Sequence, residues 1–296
     1  MKRLIVIVGP TAIGKTSAAI ALANTLKTEI VSCDSRQFYS EMNIGVARPT
    51  PDELSAAKHH FIACRSVQQP YNAFTYGEEA LTKVEQLFES HDDVVAVGGS
   101  GLYIDALCQG INLLPDPTPE LRERLSRQIS NGGLPELLDE LRRRDPDTYA
   151  TIDRDNPIRV QRAMEVILTS GRPYSELLRQ PLPARPFAIV KIGLHCSRDT
   201  LRQRIDSRVD AMMKQGLPEE VRSLLPLREL PTLHTVGYQE LFPYIDGTAT
   251  LQHAVTEIKN HTWQYAKKQM NWFRRYKEIR WVDSEKNQKK VANFFD

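Results

Sequence analysis

Apolar and polar residues alternate along the first third of the chain in blocks that predict strands followed by helices. Mostly apolar runs at Arg3–Val8 and Asp93–Val97 are typical of buried strands, and a shorter one lies at Glu29–Ser32. Helical spacing marks the alanine-rich segment Lys15–Leu26 and the segment Phe74–Ser90. Because strand and helix alternate, we expect an α/β fold with a parallel sheet that helices cover on both faces.

The pattern changes near Asn112, where LLPDPTPE places three prolines close together. From Glu120 to about Arg179 the spacing is helical and rich in arginine, and a second proline cluster closes the segment at Gln180–Pro186. An apolar strand pattern then returns at Phe187–Leu194. The sequence therefore predicts a helical insertion within the α/β core.

The two proline-rich segments define the boundaries of the predicted domains. The insertion is expected over residues 119–186, and the core over residues 1–118 and 187–296. The last third of the chain is mostly helical in pattern, with a long helix predicted from Leu251 to about Tyr276.

Composition narrows the class of protein. The chain has 296 residues, of which 41% are hydrophobic and 26% charged, as is usual for a globular protein in water. No stretch approaches the roughly 18–20 apolar residues that span a bilayer, so we expect no membrane segment and a cytoplasmic location. The four cysteines form no C-x-x-C pair, which argues against zinc and redox motifs. The net charge of +2 is small, so nucleic-acid binding would depend on local basic surfaces.

A phosphate-binding motif lies between the first strand and the first helix. The sequence GPTAIGKT matches G-x-x-x-x-G-K-[ST], in which glycines let backbone N–H groups turn toward an anion at a helix N-terminus. Lys15 is expected to reach the outer phosphate, and the Thr16 hydroxyl to ligate Mg²⁺. The predicted phosphate-binding residues are Gly9, Pro10, Thr11, Ala12, Ile13, Gly14, Lys15 and Thr16.

Polar or glycine-rich turns follow three of the predicted strands. Gly9, Asp34 and Gly98 each come just after a strand, and the carboxyl ends of parallel strands meet at one edge of a sheet. In many NTPases an apolar strand is followed by an aspartate that binds magnesium, but glycines follow the strand before Gly98. Only Asp34, which follows the second strand, occupies an equivalent position. A loop that holds a diphosphate without an obvious hydrolytic apparatus suits a pyrophosphate leaving group.

Six motifs occur in an order that resembles the tRNA dimethylallyltransferase family: GPTAIGKT, SCDSRQFY, GGSGLY, NPIRVQRAMEV, TVGYQE and YAKKQMNWFRR. The resemblance runs from Leu4 to about Arg275. Many enzymes share the phosphate loop, whereas DSRQ-x-Y and YAKKQ-x-x-WFR are much more specific. The implied fold class is an α/β, P-loop NTPase-like parallel sheet flanked by helices, with an inserted all-helical tRNA-binding subdomain.

The resemblance implies a prenyl transfer. A dimethylallyl group would pass from dimethylallyl diphosphate to N6 of the adenosine 3′ of the anticodon, with Mg²⁺ as cofactor and with the base flipped out of its stack. Asp34 is implied as the base near N6, with Ser100 and Arg208 as further catalytic residues. Alternatives are that Asp34 caps a helix or binds magnesium, and that Arg202 or Arg204 serves in place of Arg208.

A tRNA-binding surface for the anticodon stem-loop is also implied. Cations and aromatic side chains interleave over residues 267–280, as far as Lys277 and Arg280, as is typical of surfaces that bind phosphates and unpaired bases. The alternative is an aromatic core stripe with a solvated basic face. The expected tRNA contacts are Asp34, Ser35, Arg36, Gln37, Ser100, Arg122, Arg159, Val160, Gln161, Arg162, His234, Val236, Gly237, Tyr238, Gln239, Lys267, Lys268, Gln269, Trp272 and Arg274.

The chain departs from the family pattern at several positions. Val46 and Arg48 stand where the family has threonine and lysine, and Ser100 stands where it has threonine in GGTGLY. Trp263 and Asn271 replace an arginine and a threonine. These departures bear on the details of tRNA contact and leave the proposed chemistry unchanged.

Other functions fit parts of the sequence. A phosphate-loop kinase for a small metabolite would leave the basic aromatic C-terminal segment without a role. A prenyltransferase for free adenine nucleotides would not need the arginine-rich insertion. A non-catalytic tRNA-binding module would not need to keep Lys15, Thr16 and Asp34.

The histidines show no metal-binding pattern. We expect structural or surface roles for His59, His60, His195 and His261, because no metal-ligand spacing connects them. No obligate protein partner is evident, so the protein is expected to be a monomer.

Overall fold

The computed structural model describes residues 1–285. In this part of the chain a six-stranded parallel sheet carries helices on both faces, which confirms the predicted α/β fold. The order of the strands in the sheet is β3-β2-β4-β1-β5-β6. The strands are β1 (Arg3–Val8), β2 (Ile30–Ser32), β3 (His59–His60), β4 (Asp93–Val97), β5 (Ala188–His195) and β6 (Arg280–Asp283).

The helices alternate with the strands and then dominate the second half of the described chain. A short 3₁₀ turn at Leu225–Leu227 accompanies them. Their bounds are α1 Lys15–Leu26, α2 Pro51–Ala56, α3 Ala73–Phe88, α4 Gly101–Gln109, α5 Pro119–Ser130, α6 Leu134–Arg144, α7 Pro146–Thr151, α8 Pro157–Ser170, α9 Tyr174–Leu178, α10 Arg198–Lys214, α11 Leu217–Ser223, α12 Phe242–Ile245 and α13 Leu251–Phe273.

The central strands are apolar throughout because both of their faces are buried. Successive side chains of a strand point to opposite faces. Leu4 and Val6 of β1 therefore join the core around Tyr76, while Ile5 and Ile7 join the core around Leu22 on the other face. Burying such a side chain fully contributes about 1.5–3 kcal/mol, so these strands anchor the turns at their carboxyl ends.

The helical insertion forms a compact unit of its own at Gly110–Ala184, while the other unit combines residues 1–109 with the chain from Arg185 onward. Helices α5 to α9 pack around a small apolar core that includes Leu125, Leu141 and Met164. The unit begins before the expected position 119, because Asn112 Nδ2 donates a hydrogen bond to Leu178 O of α9, 2.9 Å away.

The structure contains elements that the sequence pattern did not predict. Strand β3 has only two residues, and β6 is a short strand at the sheet edge. The long C-terminal helix ends at Phe273 rather than near Tyr276, so Lys277 and Arg280 lie beyond it. No helix within residues 1–285 has the length and apolar character needed to cross a membrane.

Candidate active site

The turns after β1, β2 and β4 meet at the carboxyl edge of the sheet. Gly98 N donates a hydrogen bond to Ile7 O at 3.2 Å, and Cys33 N donates one to Val97 O at 2.7 Å. A Cβ atom at Gly98 would lie 2.3 Å from Cys33 O, so only glycine allows the two turns to approach this closely. The expected convergence of Gly9, Asp34 and Gly98 is thus present.

The phosphate loop turns the chain sharply from β1 into α1. Gly9 has a φ of 146° and Gly14 a φ of 97°, values that glycine adopts without strain. Gly14 is the N-cap of α1, and no side chain caps it among the residues described. The first N–H groups of the helix therefore remain available to an anion.

Lys15 occupies the interior of this loop. Its Nζ donates a hydrogen bond to Pro10 O, 2.7 Å away. The pKa of Lys15 is lowered to about 7, mainly because the side chain is buried. The Asp34 carboxylate partly opposes this decrease, and the Arg208 guanidinium adds to it. At neutral pH an arriving anion would therefore stabilise the charged form of Lys15.

Two arginines of α10 extend the positive surface of the loop. Arg208 Nη1 donates to Thr11 Oγ1 at 3.1 Å, and Arg204 Nη1 donates to Ile13 O at 3.2 Å. Burial lowers the pKa of Arg208 from its ordinary value, and the negative charge of Asp34 partly offsets this decrease. Arg202, by contrast, pairs with Asp206 at 3.5 Å and contacts no loop residue in the described interactions.

Asp34 lies in a tight turn that Ser100 supports. Asp34 Oδ1 accepts a hydrogen bond from Arg36 N at 3.0 Å. The buried Ser100 Oγ accepts one from Ser35 N at 2.9 Å and donates one to Ser35 Oγ at 3.1 Å. Ser100 therefore fixes the turn that carries Asp34, and its hydroxyl is already engaged.

Two cavities open on this edge of the sheet. The loop cavity has a volume of about 660 Å³, and polar residues such as Lys15, Thr16 and Arg204 line it. The second cavity has a volume of about 200 Å³ and is lined mainly by residues of the 45–47 turn, α10, the 235–237 segment and α13. We name it the apolar cavity after the apolar side chains on its wall, although polar residues such as Arg36 and Thr262 also line it. Its apolar residues include Val46, Val209, Met212, Val236 and Ile258.

The two cavities meet at a shared wall. Thr11, Asp34, Val46 and Arg208 line both of them. A carboxylate and a guanidinium thus stand between a cation-rich space and one that both apolar and polar side chains line. This arrangement suits a ligand with a charged head and an apolar tail, next to a group that can accept a proton.

Gln269 of α13 is buried and joins the turns of the site. Its Oε1 accepts a hydrogen bond from Thr11 N at 2.8 Å, and its Nε2 donates one to Gly99 O at 2.9 Å. Gln37 has a similar role, since its Nε2 donates to Val46 O and Ala47 O at 3.3 and 3.0 Å. Both amides therefore belong to the framework of the site, and Gln37, which is of intermediate exposure, also lines the loop cavity.

Two other expected RNA contacts also have buried side chains. Tyr238 is fully buried and donates a hydrogen bond from its hydroxyl to Glu220 Oε1 at 2.6 Å. Val160 lies in the apolar core of the insertion. The resemblance that implied these contacts did not show which way the side chains face, and RNA contact at these two positions stays a prediction.

Other candidate residues remain open to solvent. Lys267, Lys268 and Arg274 are exposed along or just after α13, and Trp272 is half-buried with Nε1 donating to Asp105 Oδ2 at 3.2 Å. This is the mixed arrangement in which an aromatic side chain packs inward and the cations face solvent. The exposed candidates elsewhere are Arg122, Arg159, His234 and Gln239, and those of intermediate exposure are Ser35, Arg36, Gln161, Arg162 and Val236. Gly237, which lines the apolar cavity, is buried.

Glu165 organises the polar residues within the insertion. Its buried carboxylate accepts hydrogen bonds from Gln161 Nε2 at 3.0 Å and Arg162 Nη1 at 3.4 Å, and Arg122 Nε lies 3.5 Å away. The carboxylate of Glu165 therefore interacts with three of the residues that are expected to contact RNA. Glu165 was not among the predicted site residues, although its place in NPIRVQRAMEV, four residues after Gln161, was a usable signal.

The metal-binding capacity of the site rests on oxygen atoms. Within residues 1–285 no group of three or more His, Cys, Asp and Glu side chains is placed to hold a metal. Thr16, Ser32 and Asp34 do line one small space beside the loop. These hard oxygen donors suit Mg²⁺, which usually combines few protein ligands with phosphate oxygens and water.

Fold and site together define an α/β protein whose phosphate loop opens toward an apolar cavity. The family model described as IPP transferase matches residues 37–276, which is most of the chain. The protein belongs to the IPP transferase family.

Curated relatives match over almost the whole chain. The tRNA dimethylallyltransferase of Christiangramia forsetii is 44% identical over 99% of this chain and 97% of its own length. The tRNA dimethylallyltransferase 1 of Bacteroides thetaiotaomicron is 45% identical over 96% and 92%.

Solved structures agree with this assignment. The tRNA isopentenylpyrophosphate transferase of Bacillus halodurans superposes with a TM-score of 0.73 at 32% identity, covering 99% of this chain and 95% of that one. A eukaryotic dimethylallyltransferase acting on tRNA gives a TM-score of 0.78 at 23% identity, over 99% and 76% of the two chains, and supports the fold.

Proposed function

We propose that this protein transfers the dimethylallyl group of dimethylallyl diphosphate to N6 of the adenosine 3′ of the anticodon in tRNA. The observation that carries the proposal is the shared wall of the two cavities, formed by Thr11, Asp34, Val46 and Arg208. A diphosphate in the loop cavity and a purine in the apolar cavity would place the reacting atoms beside Asp34. Similarity to enzymes named for this activity supports the same choice.

The diphosphate would bind at the N-terminus of α1. Backbone N–H groups after Gly14, the Lys15 ammonium and the Arg208 guanidinium would surround its oxygens. These groups also stabilise the charge that develops as the leaving group departs, which is where electrostatic catalysis acts. The apolar tail would lie against Val46 at the boundary of the two cavities.

The proposed reaction is a single substitution. The bond between the first prenyl carbon and the bridging oxygen breaks, and its electron pair leaves with the diphosphate. The N6 lone pair forms the new bond to that carbon, and the proton lost from N6 passes to Asp34. General-base transfer of this kind contributes about 10²–10⁴ in rate when the base lies within hydrogen-bond reach.

Mg²⁺ fits the oxygen donors of the loop, and we propose Thr16 as its protein ligand. When bound, the ion would neutralise diphosphate charge. This chain's own contribution is to orient the diphosphate through Lys15 and Arg208 and to hold Asp34 in its turn through Ser100.

The RNA would bind through exposed or partly exposed cations of both units. On the core, Lys267, Lys268 and Arg274 are available to phosphates. In the insertion, Arg122 and Arg162 are held around Glu165, ready to contact the anticodon stem-loop. We also propose that the protein acts as a monomer and in the cytoplasm.

The test is to incubate the protein with labelled dimethylallyl diphosphate, Mg²⁺ and bulk tRNA, followed by nucleoside analysis. We expect the label in N6-dimethylallyladenosine released from tRNA, and none with the Lys15→Ala variant. In parallel reactions with AMP or ATP in place of tRNA, label on AMP would instead support a nucleotide prenyltransferase, and ATP turnover a kinase.

A further inference from the structure

The imidazole of His59 has a buried nitrogen with no hydrogen-bond partner among the described residues. Its Nδ1 lies 2.7 Å from the carbonyl oxygen of Ala57. Because a carbonyl oxygen only accepts, Nδ1 carries the hydrogen and donates it. In the neutral ring Nε2 is then an acceptor, and no donor within residues 1–285 reaches it.

The surroundings of His59 connect it to the phosphate loop. His59 lines a small space of about 30 Å³, which we name the rear cavity, together with Thr16, Ser32 and Asp34. About one water molecule fits a space of this size, provided that polar groups hold it. An acceptor on one side and hydroxyl and carboxylate groups on the other supply those groups.

Two of the donor groups at the rear cavity already have acceptors within the protein. Lys15 Nζ donates to Pro10 O, and Gln37 Nε2 donates to the carbonyls of the 46–47 turn. The neighbouring His60 differs from His59, because its Nε2 lies 2.5 Å from Glu29 Oε2. Nothing described in the protein therefore satisfies His59 Nε2, and a water molecule is the simplest donor.

We propose that His59 is a positioning residue for the metal–diphosphate, acting through a water molecule that donates a hydrogen bond to its Nε2 in the rear cavity. This water would belong to the hydration shell of the Mg²⁺ bound at Thr16. Mg²⁺ releases its waters reluctantly, so an acceptor that orients one of them helps to fix the ion and the diphosphate. The inference rests on the proposed function, since it requires a metal–diphosphate at this loop.

The test compares three variants of the full-length protein. His59→Asn keeps a donor near Ala57 O and removes the distal acceptor, His59→Gln offers an amide oxygen near the position of Nε2, and His60→Gln is the matched control. The probes are MnCl₂ and inorganic diphosphate. The affinity for Mn²⁺ is measured from the electron paramagnetic resonance signal of the free ion, and thermal unfolding verifies that each variant is folded.

We expect His59→Asn to weaken Mn²⁺ binding in the presence of diphosphate by about 10–100-fold, the usual cost of removing an outer-shell partner of a metal. His59→Gln should recover most of that loss, and His60→Gln should match the wild type. Wild-type affinity in His59→Asn, or an equal loss in His60→Gln, would overturn the role of His59.

A second measurement does not depend on any variant. A high-resolution crystal structure of the wild type with MnCl₂ and diphosphate should show a water within hydrogen-bond distance of both His59 Nε2 and the ion. A dry rear cavity beneath a bound metal–diphosphate would overturn this inference alone. If the wild type bound no diphosphate at the loop at all, the proposed function would fail with it.

Discussion

Gln269 Oε1 accepts a hydrogen bond from the backbone N–H of Thr11, 2.8 Å away, and so joins α13 to the phosphate loop. The same amide donates to Gly99 O, which ties the loop to the turn after β4. One buried side chain near the end of the described chain therefore sets the relative position of two turns that form the site.

The Gln269→Leu variant should lose both hydrogen bonds and leave Thr11 N–H without its acceptor. A buried unsatisfied group costs about 1–3 kcal/mol, so we expect lower stability in urea unfolding. We also expect a rise of about tenfold in the KM for dimethylallyl diphosphate, because a difference of 1.4 kcal/mol is tenfold in an equilibrium constant. Gln264→Leu, at an exposed position of the same helix, should change neither quantity.

Ser100 should act through the turn that carries Asp34. The Ser100→Ala variant leaves Ser35 N–H without its side-chain acceptor, and we expect kcat to fall together with a loss of stability of at most about 1–3 kcal/mol. Ser100→Thr keeps the hydroxyl and should retain activity. If Ser100→Ala turned over like the wild type, the hydrogen bond to Ser35 would have no part in positioning Asp34.

Asp34→Asn should lower kcat by about 10²–10⁴ with little change in tRNA affinity, because it removes the proton acceptor and keeps the shape of the side chain. Single-turnover kinetics and filter binding measure the two quantities separately. Asp52→Asn, at an exposed position on α2, is the control. An Asp34→Asn enzyme with wild-type turnover would remove the assignment of this residue as the base.

The lowered pKa of Lys15 makes diphosphate binding depend on pH. Burial holds the pKa near 7 in the ligand-free protein, and a bound anion stabilises the charged form and raises it. Above about pH 7 binding must therefore take up a proton, so affinity should fall as the pH rises toward 9. Calorimetry in buffers of different ionisation enthalpy measures this uptake.

The control for the pH effect is a lysine outside the loop. Lys15→Met should bind diphosphate weakly and without proton uptake, whereas Lys268→Met, on the exposed surface of α13, should behave like the wild type. Diphosphate affinity that stays constant between pH 7 and 9 in the wild type would contradict the electrostatic account of the loop.

Lys267 and Lys268 should contact RNA phosphates. Replacing both by alanine should weaken tRNA binding. It should also make the plot of log association constant against log salt concentration less steep by about 1–2, because each phosphate contact contributes roughly 0.7–0.9 to this slope. Arg142→Ala/Arg143→Ala removes the same charge from α6 and is the matched control. An unchanged slope in the lysine variant would place RNA away from this face of α13.

The parts of the fold and the site that could be predicted are those with a local pattern in the sequence. The bounds of β1, β4 and α1 follow from a continuous apolar run or a helical pattern, and the phosphate loop is a contiguous motif. Strand β3 has two residues and exists only because β2 pairs with it, so no local pattern marks it.

The roles of several site residues depend on contacts between distant segments. Gln269 and Thr11 lie at opposite ends of the chain, and the direction of the Gln269 amide is set by the way α13 packs against the turns after β1 and β4. The motif showed that Gln269 matters but not that it is buried. His59 has a local partner in Ala57 O, but only the fold brings its ring beside Thr16 and Asp34.

The central claim is that the loop at Gly9–Thr16 holds the departing diphosphate while the purine N6 lies beside Asp34. The most direct measurement is a crystal structure of the protein with an unreactive thiolo analogue of dimethylallyl diphosphate and an anticodon stem-loop RNA. We predict both phosphorus atoms next to the backbone N–H groups of Gly14 and Lys15, with N6 within hydrogen-bond distance of an Asp34 oxygen. Phosphorus atoms bound elsewhere, or an adenine that remains stacked in the RNA, would contradict the account.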